Sequence, residues 1–248
     1  ENNFNAPEPV TRAAVLYVLR TLIADKIPMN AGCLRPVEII IPEKSLLKPE
    51  SPAAVVAGNV ETSQVVTNCL YGAFGVLGLA QGTMNNLTFG NKTHQYYETL
   101  CSGAPAGPPY NNSEGFDGAA AIHTHMTNSR LTDPEILETR YPVLLERFTI
   151  DKNSGGKGRW SAGDGITRSI KFLEDLEVSL LTGYRQQAIP GIEGGDPGRK
   201  GKNSLKSING KTSNLSSTCS IEVKKGDCLT IRTPTGGGFG PFKERNKE

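Results

Sequence analysis

Past Tyr141 the chain never sustains a patterned run longer than a strand. VLLERFTI gives way to KNSGGKGRWSAGDG, ITRSIKF follows, then EVSLLTG, and each run is closed by Gly, Asn, Asp or Lys-Gly signals. Short runs bounded by turn residues read as β-strands. Before Tyr141 the pattern differs. PVTRAAVLYVLRTLIA sets Val15, Val18, Leu19, Leu22 and Ile23 at helical spacing, with Thr11 a candidate cap and Pro28 a stop. Asn59 or Thr62 opens a second helical run to about Ala80, with Val65, Val66, Cys69 and Ala73 on one face. The expectation is an α+β fold: helices in the first half packed on sheet, and a β-rich second half. Residues 1–248 are read as one unit with a soft sub-boundary near residue 141.

Smaller features fill in the outline. Residues 1–7 read as a frayed lead-in, and Val37–Ile41 as a short strand. Gly72, Gly75 and Gly78 recur in the second helical run; each costs up to about 1 kcal/mol against Ala in an exposed helix, so close packing is the expected compensation. Asn86-Leu-Thr-Phe, Gly90-Asn91 and HQYYETL read as a hairpin. CSGAPAGPPYNNSEGFDG is too rich in Gly, Pro and Asn for a regular element, and loops of that length often serve as lids or binding segments. Arg168, Ser169 and Lys171 interleave with Ile166, Ile170 and Phe172, which suits a half-buried strand. PGIEGGDPGRKGKNS reads as a loop, and Lys224–Asp227 as the turn of a final hairpin.

A charge of +2, from 27 basic and 25 acidic residues, argues against a polyanion-binding surface, so no nucleic-acid partner is expected. No apolar run approaches the length of a membrane span. The polar start ENNFNAPEPV has no signal pattern and no initiator Met, so the expectation is a piece of something longer. Five widely spaced cysteines, without a CxxC pair, suit reduced thiols in the cytoplasm. The sequons at Asn86, Asn91, Asn111 and Asn214 are then coincidental.

The densest polar chemistry lies in Ala120–Glu138, AAIHTHMTNSRLTDPEILE. On an extended strand His123 and His125 project to one face, with Thr127 in phase. Asp133-Pro134-Glu135 reads as a helix start capped by Thr132 or Asp133. The histidine pair suits general acid/base or substrate-binding work, two metal positions, or plain structural hydrogen bonding. A metal needs a third ligand, available from Asp133 or Glu135 only if the chain folds back. Asn59, Glu61 and Gln64 sit around the second helix's entrance, where capping and ligand contact are both open readings. Thr233–Gly240, TPTGGGFG, lacks the Lys-Ser/Thr of a P-loop and no helical pattern follows, so tight turns or close backbone approach explain it better than nucleotide binding. Catalysis by Cys and His requires Cys101 or Cys69 to meet His123 or His125. The same polar residues also fit a non-catalytic interface domain whose motifs cap helices and turns.

Several strings together resemble one family: IPMNAGCLRPVEIIIPEKSLL, AAVVAGNVETSQVV, QGTMNNLTFGN, YYETL, HTHMTNSRLTDPEILETRYPVLLERF, GGKGRWSAGDGITRSI and TPTGGGFG. In that order, from Thr11 to Gly240, they resemble the C-terminal part of the hydantoinase B-like region, most of all that of eukaryotic ATP-dependent 5-oxoprolinases. The resemblance implies 5-oxo-L-proline, ATP and water giving L-glutamate, ADP and phosphate. Phosphorylating the amide oxygen of a poorly electrophilic lactam gives water a leaving group to displace. It further implies a small-molecule substrate, a hydantoinase A-like region as partner, and a homo-oligomer. ATP and a divalent metal belong to the complete enzyme, with no cofactor bound by this piece. A hydantoinase or a carboxylase-type subunit is the alternative within the family. Carried over residue by residue, the pocket set is His123 and His125 for proton handling, with Asn59, Glu61, Thr62, Asn85, Asn86, Asn128, Arg130, Asp133 and Glu135 for substrate; Arg130 would pair with a carboxylate. This chain departs from the family at Thr182-Gly183-Tyr184-Arg185, at Thr235, at Ala104-Pro105-Ala106 and in an apparent insertion at Asn111–Ala119.

Overall fold

The computed structural model describes residues 3–110 and 114–242. The fold is α+β, with the helices mainly in the first half. Helix α1 runs Glu8–Leu22 and α2 runs Ser63–Phe74, entered through a π-helical turn at Gly58–Thr62; a third helix, α3, covers Pro134–Arg140. The strands are β1 Asn86–Gly90, β2 Gln95–Thr99, β3 Val143–Ile150, β4 Ile166–Phe172, β5 Leu176–Leu181, β6 Lys202–Lys206, β7 Thr212–Leu215, β8 Thr218–Val223 and β9 Cys228–Arg232. They form two antiparallel sheets, β2-β1-β5-β8 and β3-β4-β9-β6-β7.

One core lies between the sheets. Leu87, Phe89, Tyr96, Val178 and Leu180 from the first meet Val143, Ile166, Ile170, Phe172, Leu229 and Ile231 from the second. Along β4, Ile166, Arg168, Ile170 and Phe172 share one face by strand alternation, so Arg168 is carried inward with three apolar neighbours. It is 2% exposed, and its Nε donates to Glu98 Oε1 on β2 at 2.8 Å across the core. Tyr96 donates to the other Glu98 oxygen at 2.9 Å. Strand β4 is therefore buried almost throughout, not half-buried.

The expected hairpin from Asn86 forms as β1–β2, with Asn91 Oδ1 accepting the amides of Thr93 and His94 in the turn. Asp133 caps α3 by accepting the Glu135 amide. Elsewhere the structure corrects the reading. Pro7, not Thr11, precedes α1, and Thr11 is buried within it. Val37–Ile41 forms no strand; Ile40 is 81% exposed. Helix α2 stops at Gly75, whose φ of 65° supplies the left-handed cap, well short of Ala80. The described part of the lead-in is anchored, with Ala6 fully buried and its amide bonded to Leu46 O. Lys224–Asp227 turns the chain between sheets rather than within a hairpin, since β8 and β9 belong to different ones. The end of the stretch read as loop, Lys202 to Ser204, instead opens β6.

The start of the loop after Cys101 is packed down: Cys101, Ser102, Pro105 and Ala106 are buried, and a Cβ on Gly103 would lie 2.0 Å from Gly163 O, while Tyr110 and Phe116 further along are exposed. The first residues of the apparent insertion at Asn111–Ala119, including the Asn111 sequon, lie outside the described residues. Asn86 is 4% exposed with both ends of its amide bonded, which leaves no access for a glycan.

Removing one partner of a buried pair strands the other's charge. Glu98→Leu should therefore cost roughly 3–5 kcal/mol. The joint replacement Glu98→Leu with Arg168→Met should cost clearly less than the two single changes summed. Denaturant unfolding of the four proteins measures both, and simple additivity would refute the coupling.

Candidate functional site

The site is built on an inverted helix. From the π-helical turn through α2, Glu61, Gln64, Asn68 and Tyr71 recur at spacings that place them on one face, and all four are buried, at 5%, 1%, 4% and 3% exposure. The apolar face points out: Val65 and Phe74 are 38% and 51% exposed, Cys69 and Ala73 are exposed too, and Val66 is half-buried. A buried polar face must find hydrogen-bond partners, and it finds them in two places.

The first is the segment Gln81–Asn86. Glu61 Oε1 accepts from Thr83 Oγ1 at 2.8 Å, from the Met84 amide at 3.1 Å and from Asn86 Nδ2 at 2.9 Å. Asn86 Oδ1 in turn accepts from the half-exposed Tyr97 hydroxyl at 2.7 Å. An open cavity of about 540 Å³, lined by Val56, Val60, Asn86, Tyr97, Leu181 and others, meets this layer from outside. Asn85, at a left-handed φ of 48°, donates to Gln81 Oε1 and accepts from Arg185 Nη1 at 2.6 Å. Asn68 braces the approach by exchanging two bonds with the backbone of Ala80. Burial pushes the Glu61 carboxyl up to about 7 against the pull of its hydrogen bonds and of Arg185.

The second is the histidine segment. It is not a strand. Apart from the Ser102–Ile122 bridge it is irregular, and His125 takes φ 59° in a turn. Spacing of two fits a strand only where the backbone stays extended, and here it turns. Gln64 Nε2 donates to Thr124 O at 3.2 Å, between the two imidazoles. The His125 ring lies 5.1 Å from that of Tyr71 and edge-on to Tyr17 at 5.9 Å, with Nδ1 3.4 Å from the Tyr17 hydroxyl. His123 Nδ1 lies 3.5 Å from Thr127 Oγ1. The Nε2 atoms of both histidines are buried without a partner among the described residues. Burial drives His125 down to about 4 and lowers His123 as well, so both are neutral at physiological pH.

Of the residues singled out from sequence, Glu61, Asn85 and Asn86 converge in one network and His123 with His125 in the other. Thr62 turns away to bond Phe4 O. Asn59, Asn128, Arg130, Asp133 and Glu135 are exposed. Tyr17, Tyr71, Thr83, Arg185 and Asn203 take part without having been predicted; only the polar periodicity of Glu61, Gln64, Asn68 and Tyr71 signalled any of them. Among the described residues no three His, Cys, Asp or Glu side chains gather as a metal would need. Cys101 is buried, with its thiol pushed up to about 11, and all five cysteines are free. A nucleotide does not fit the glycine run. Cβ atoms on Gly236, Gly237 and Gly238 would lie 2.2, 2.2 and 2.1 Å from the carbonyl oxygens of Leu79, Pro190 and Lys157, so the run is packed backbone to backbone. No described helix is long and apolar enough to cross a membrane.

The family model for hydantoinase B/oxoprolinase matches residues 1–242. The chain belongs to the hydantoinase B/oxoprolinase family. A relative, 5-oxoprolinase 1 of Arabidopsis thaliana, is 49% identical over 238 residues, which is 96% of this chain and 18% of that protein. The chain thus spans about a fifth of the length of that family member. Two solved structures share the fold. The ATP-dependent caprolactamase from Pseudomonas jessenii superposes at a TM-score of 0.70 with 20% identity, over 92% of this chain and 42% of its own. A nucleotide-free acetone carboxylase superposes at 0.75 with 17% identity, over 96% and 38%.

The two networks titrate in opposite senses. Glu61 goes from the ordinary 4.5 to about 7 on folding, so between those values the folded chain holds more proton and stability falls as pH rises. His125 goes from 6.5 to about 4, so its contribution rises with pH over that interval. Glu61→Gln, which keeps the acceptor oxygen, should gain on the unsubstituted chain as pH rises from about 5 to about 8, by up to about 3 kcal/mol. His125→Gln should lose ground over about pH 4 to 6.5. Melting curves across pH check both signs, and parallel profiles would remove the assignment.

Proposed function

We propose that this chain forms one wall of the active site of an ATP-dependent enzyme that opens a cyclic amide: 5-oxo-L-proline, ATP and water giving L-glutamate, ADP and phosphate. The supporting observation is the inverted helix. A family member that buries Glu61, Gln64, Asn68 and Tyr71 while exposing Val65 and Phe74 gives up core packing for a polar site. The likeness to a 5-oxoprolinase over 96% of the chain supports the substrate class.

In this reading His123 and His125 handle the proton or hold the substrate, as neutral rings whose Nε2 atoms await a partner. Glu61, balanced near neutrality, can take up or release a proton at working pH. Asn85 and Asn86 present amide groups beside it. The glycine run is packed backbone to backbone, and no third metal ligand joins the histidine pair among the described residues; in this reading ATP and any divalent ion are held with other parts of a longer polypeptide, the hydantoinase A-like region above all. That polypeptide is expected to be cytoplasmic and to form a homo-oligomer, with residues 1–248 one part of its hydantoinase B-like region.

The test is glutamate release from 5-oxoproline with ATP, comparing this chain with a polypeptide joining it to the remainder of a 5-oxoprolinase's length. Activity is expected only in the longer protein, where His125→Ala should lower turnover more than about tenfold and shift its melting temperature by only a few degrees. An unchanged rate would remove His125 from the mechanism. Turnover of a hydantoin or a carboxylation substrate instead of 5-oxoproline would reassign the reaction.

A further inference from the structure

Arg168, Arg199 and Arg185 are all drawn into the fold, and they are treated differently. Arg168 is paired with Glu98 at 2.8 Å and Arg199 with Asp151 at 2.7 Å. Arg185 has no carboxylate within ion-pair distance among the described residues. Its Nη1 donates to Asn85 Oδ1 and to Gly183 O, both at 2.6 Å. Its Nε and Nη2 donate to the single oxygen Asn203 Oδ1 at 3.2 and 2.9 Å. Every acceptor is neutral, and the remaining Nη2 N–H meets none among the described residues.

The cradle is built rather than incidental. The guanidinium lies against Gly201, where a Cβ would come within 2.9 Å of Cζ and Nε. Asn203 is itself fixed, donating to Thr182 Oγ1 at 3.0 Å. The residues on either side of the contact, Asn85 and Tyr184, hold left-handed φ of 48° and 55°, a strain that concentrates at binding sites. Arg185 feels the charge of Glu61, but that carboxyl spends its Oε1 on Thr83, Met84 and Asn86 and forms no ion pair with the guanidinium; burial lowers Arg185 to about 9, which still leaves it charged at neutral pH. A largely buried cation that no carboxylate touches among the described residues can take an anionic partner.

We infer that Arg185 is the docking point for a carboxylate on the ligand, and so sets a preference for a cyclic amide that carries one over a cyclic amide that does not. One spare N–H and one charge suit a monoanion better than a phosphate. Arg130, the arginine expected to meet a carboxylate, stands exposed and makes no ion pair among the described residues. The inference rests on the ring-opening reading for the nature of the ligand, but its geometry is independent of turnover.

Calorimetric titration of the chain with 5-oxo-L-proline and with 2-pyrrolidinone, the same ring without the carboxylate, tests it. The unsubstituted chain should bind 5-oxoproline at least about tenfold tighter. Arg185→Gln should bring the two ligands level, and Gly201→Ala should do so in part by displacing the guanidinium while its charge remains. Arg185→Lys, the variant that best preserves the fold, should retain part of the preference. Equal binding by the unsubstituted chain, no binding of either ligand, a preference surviving Arg185→Gln, or inorganic phosphate binding as tightly as 5-oxoproline would each overturn the inference. Carboxylate-dependent binding with no ATP-driven glutamate release from the longer polypeptide would overturn the ring-opening reading and leave Arg185 in place.

Discussion

The polar face of α2 constrains everything around it. Carboxyl, amide and phenol groups taken out of water lose more than they gain unless each meets a partner of good geometry. Those partners are spread along the chain: Thr83 and Asn86 for Glu61, Thr124 for Gln64, Ala80 for Asn68, and Thr21, at 2.6 Å, for Tyr71. Satisfying one helix face therefore fixes the start of β1, the approach to it, the histidine turn and the end of α1 in a single arrangement. The π-helical turn at Gly58–Thr62 belongs to the same arrangement, since Glu61 lies within it while Gln64 and Asn68 follow on α2. Such turns often occur where a helix serves a site rather than a core.

The contrast between Glu98 and Glu61 shows how the same residue type is turned to two uses. Both are 5% exposed, and burial raises the pKa of both. Glu98 faces Arg168 and Tyr96 within the intersheet core, where the pair joins β2 to β4 and has no opening to solvent at either end. Glu61 receives only neutral donors, and its layer reaches the outside through Asn86 and the half-exposed Tyr97. A paired carboxylate in a closed core fixes register between sheets; an unpaired carboxyl near an opening remains free to exchange a proton.

What was legible in the sequence was local. The β1–β2 hairpin rests on Gly90-Asn91, and the α3 cap on Asp133 two residues before the amide it receives, so each is decided within a few residues. The glycine run was legible as backbone packing because it lacks what phosphate binding needs. Which face of α2 is buried was not legible, because apolar periodicity reports only which side is hydrophobic, and burial here follows hydrogen-bond partners distant in the chain. The histidine pair was placed on a strand because alternation assumes extended backbone; His125 at φ 59° breaks that assumption, with nothing at that position to announce it. Tyr17, Arg185 and Asn203 carry no local signature. They belong to the site only because α1, the segment after β5 and β6 are brought to it by the fold.

The electrostatic character of the site follows from one rule applied to groups of different chemistry. Desolvation penalises the charged form of each buried group. A carboxylic acid meets that penalty by holding its proton, and Glu61 rises to about 7; an imidazole meets it by releasing one, and His125 falls to about 4. The imidazole thereby arrives at neutrality, while the carboxyl is left divided between its acid and carboxylate forms at neutral pH. Arginine has no such exit within the physiological range, because even lowered to about 9 it keeps its proton. The guanidinium of Arg185 is thus the charge that desolvation cannot remove. Its neutral cradle of Asn85, Gly183 and Asn203 holds that charge in position without cancelling it, so the site's net field is positive wherever Glu61 is protonated.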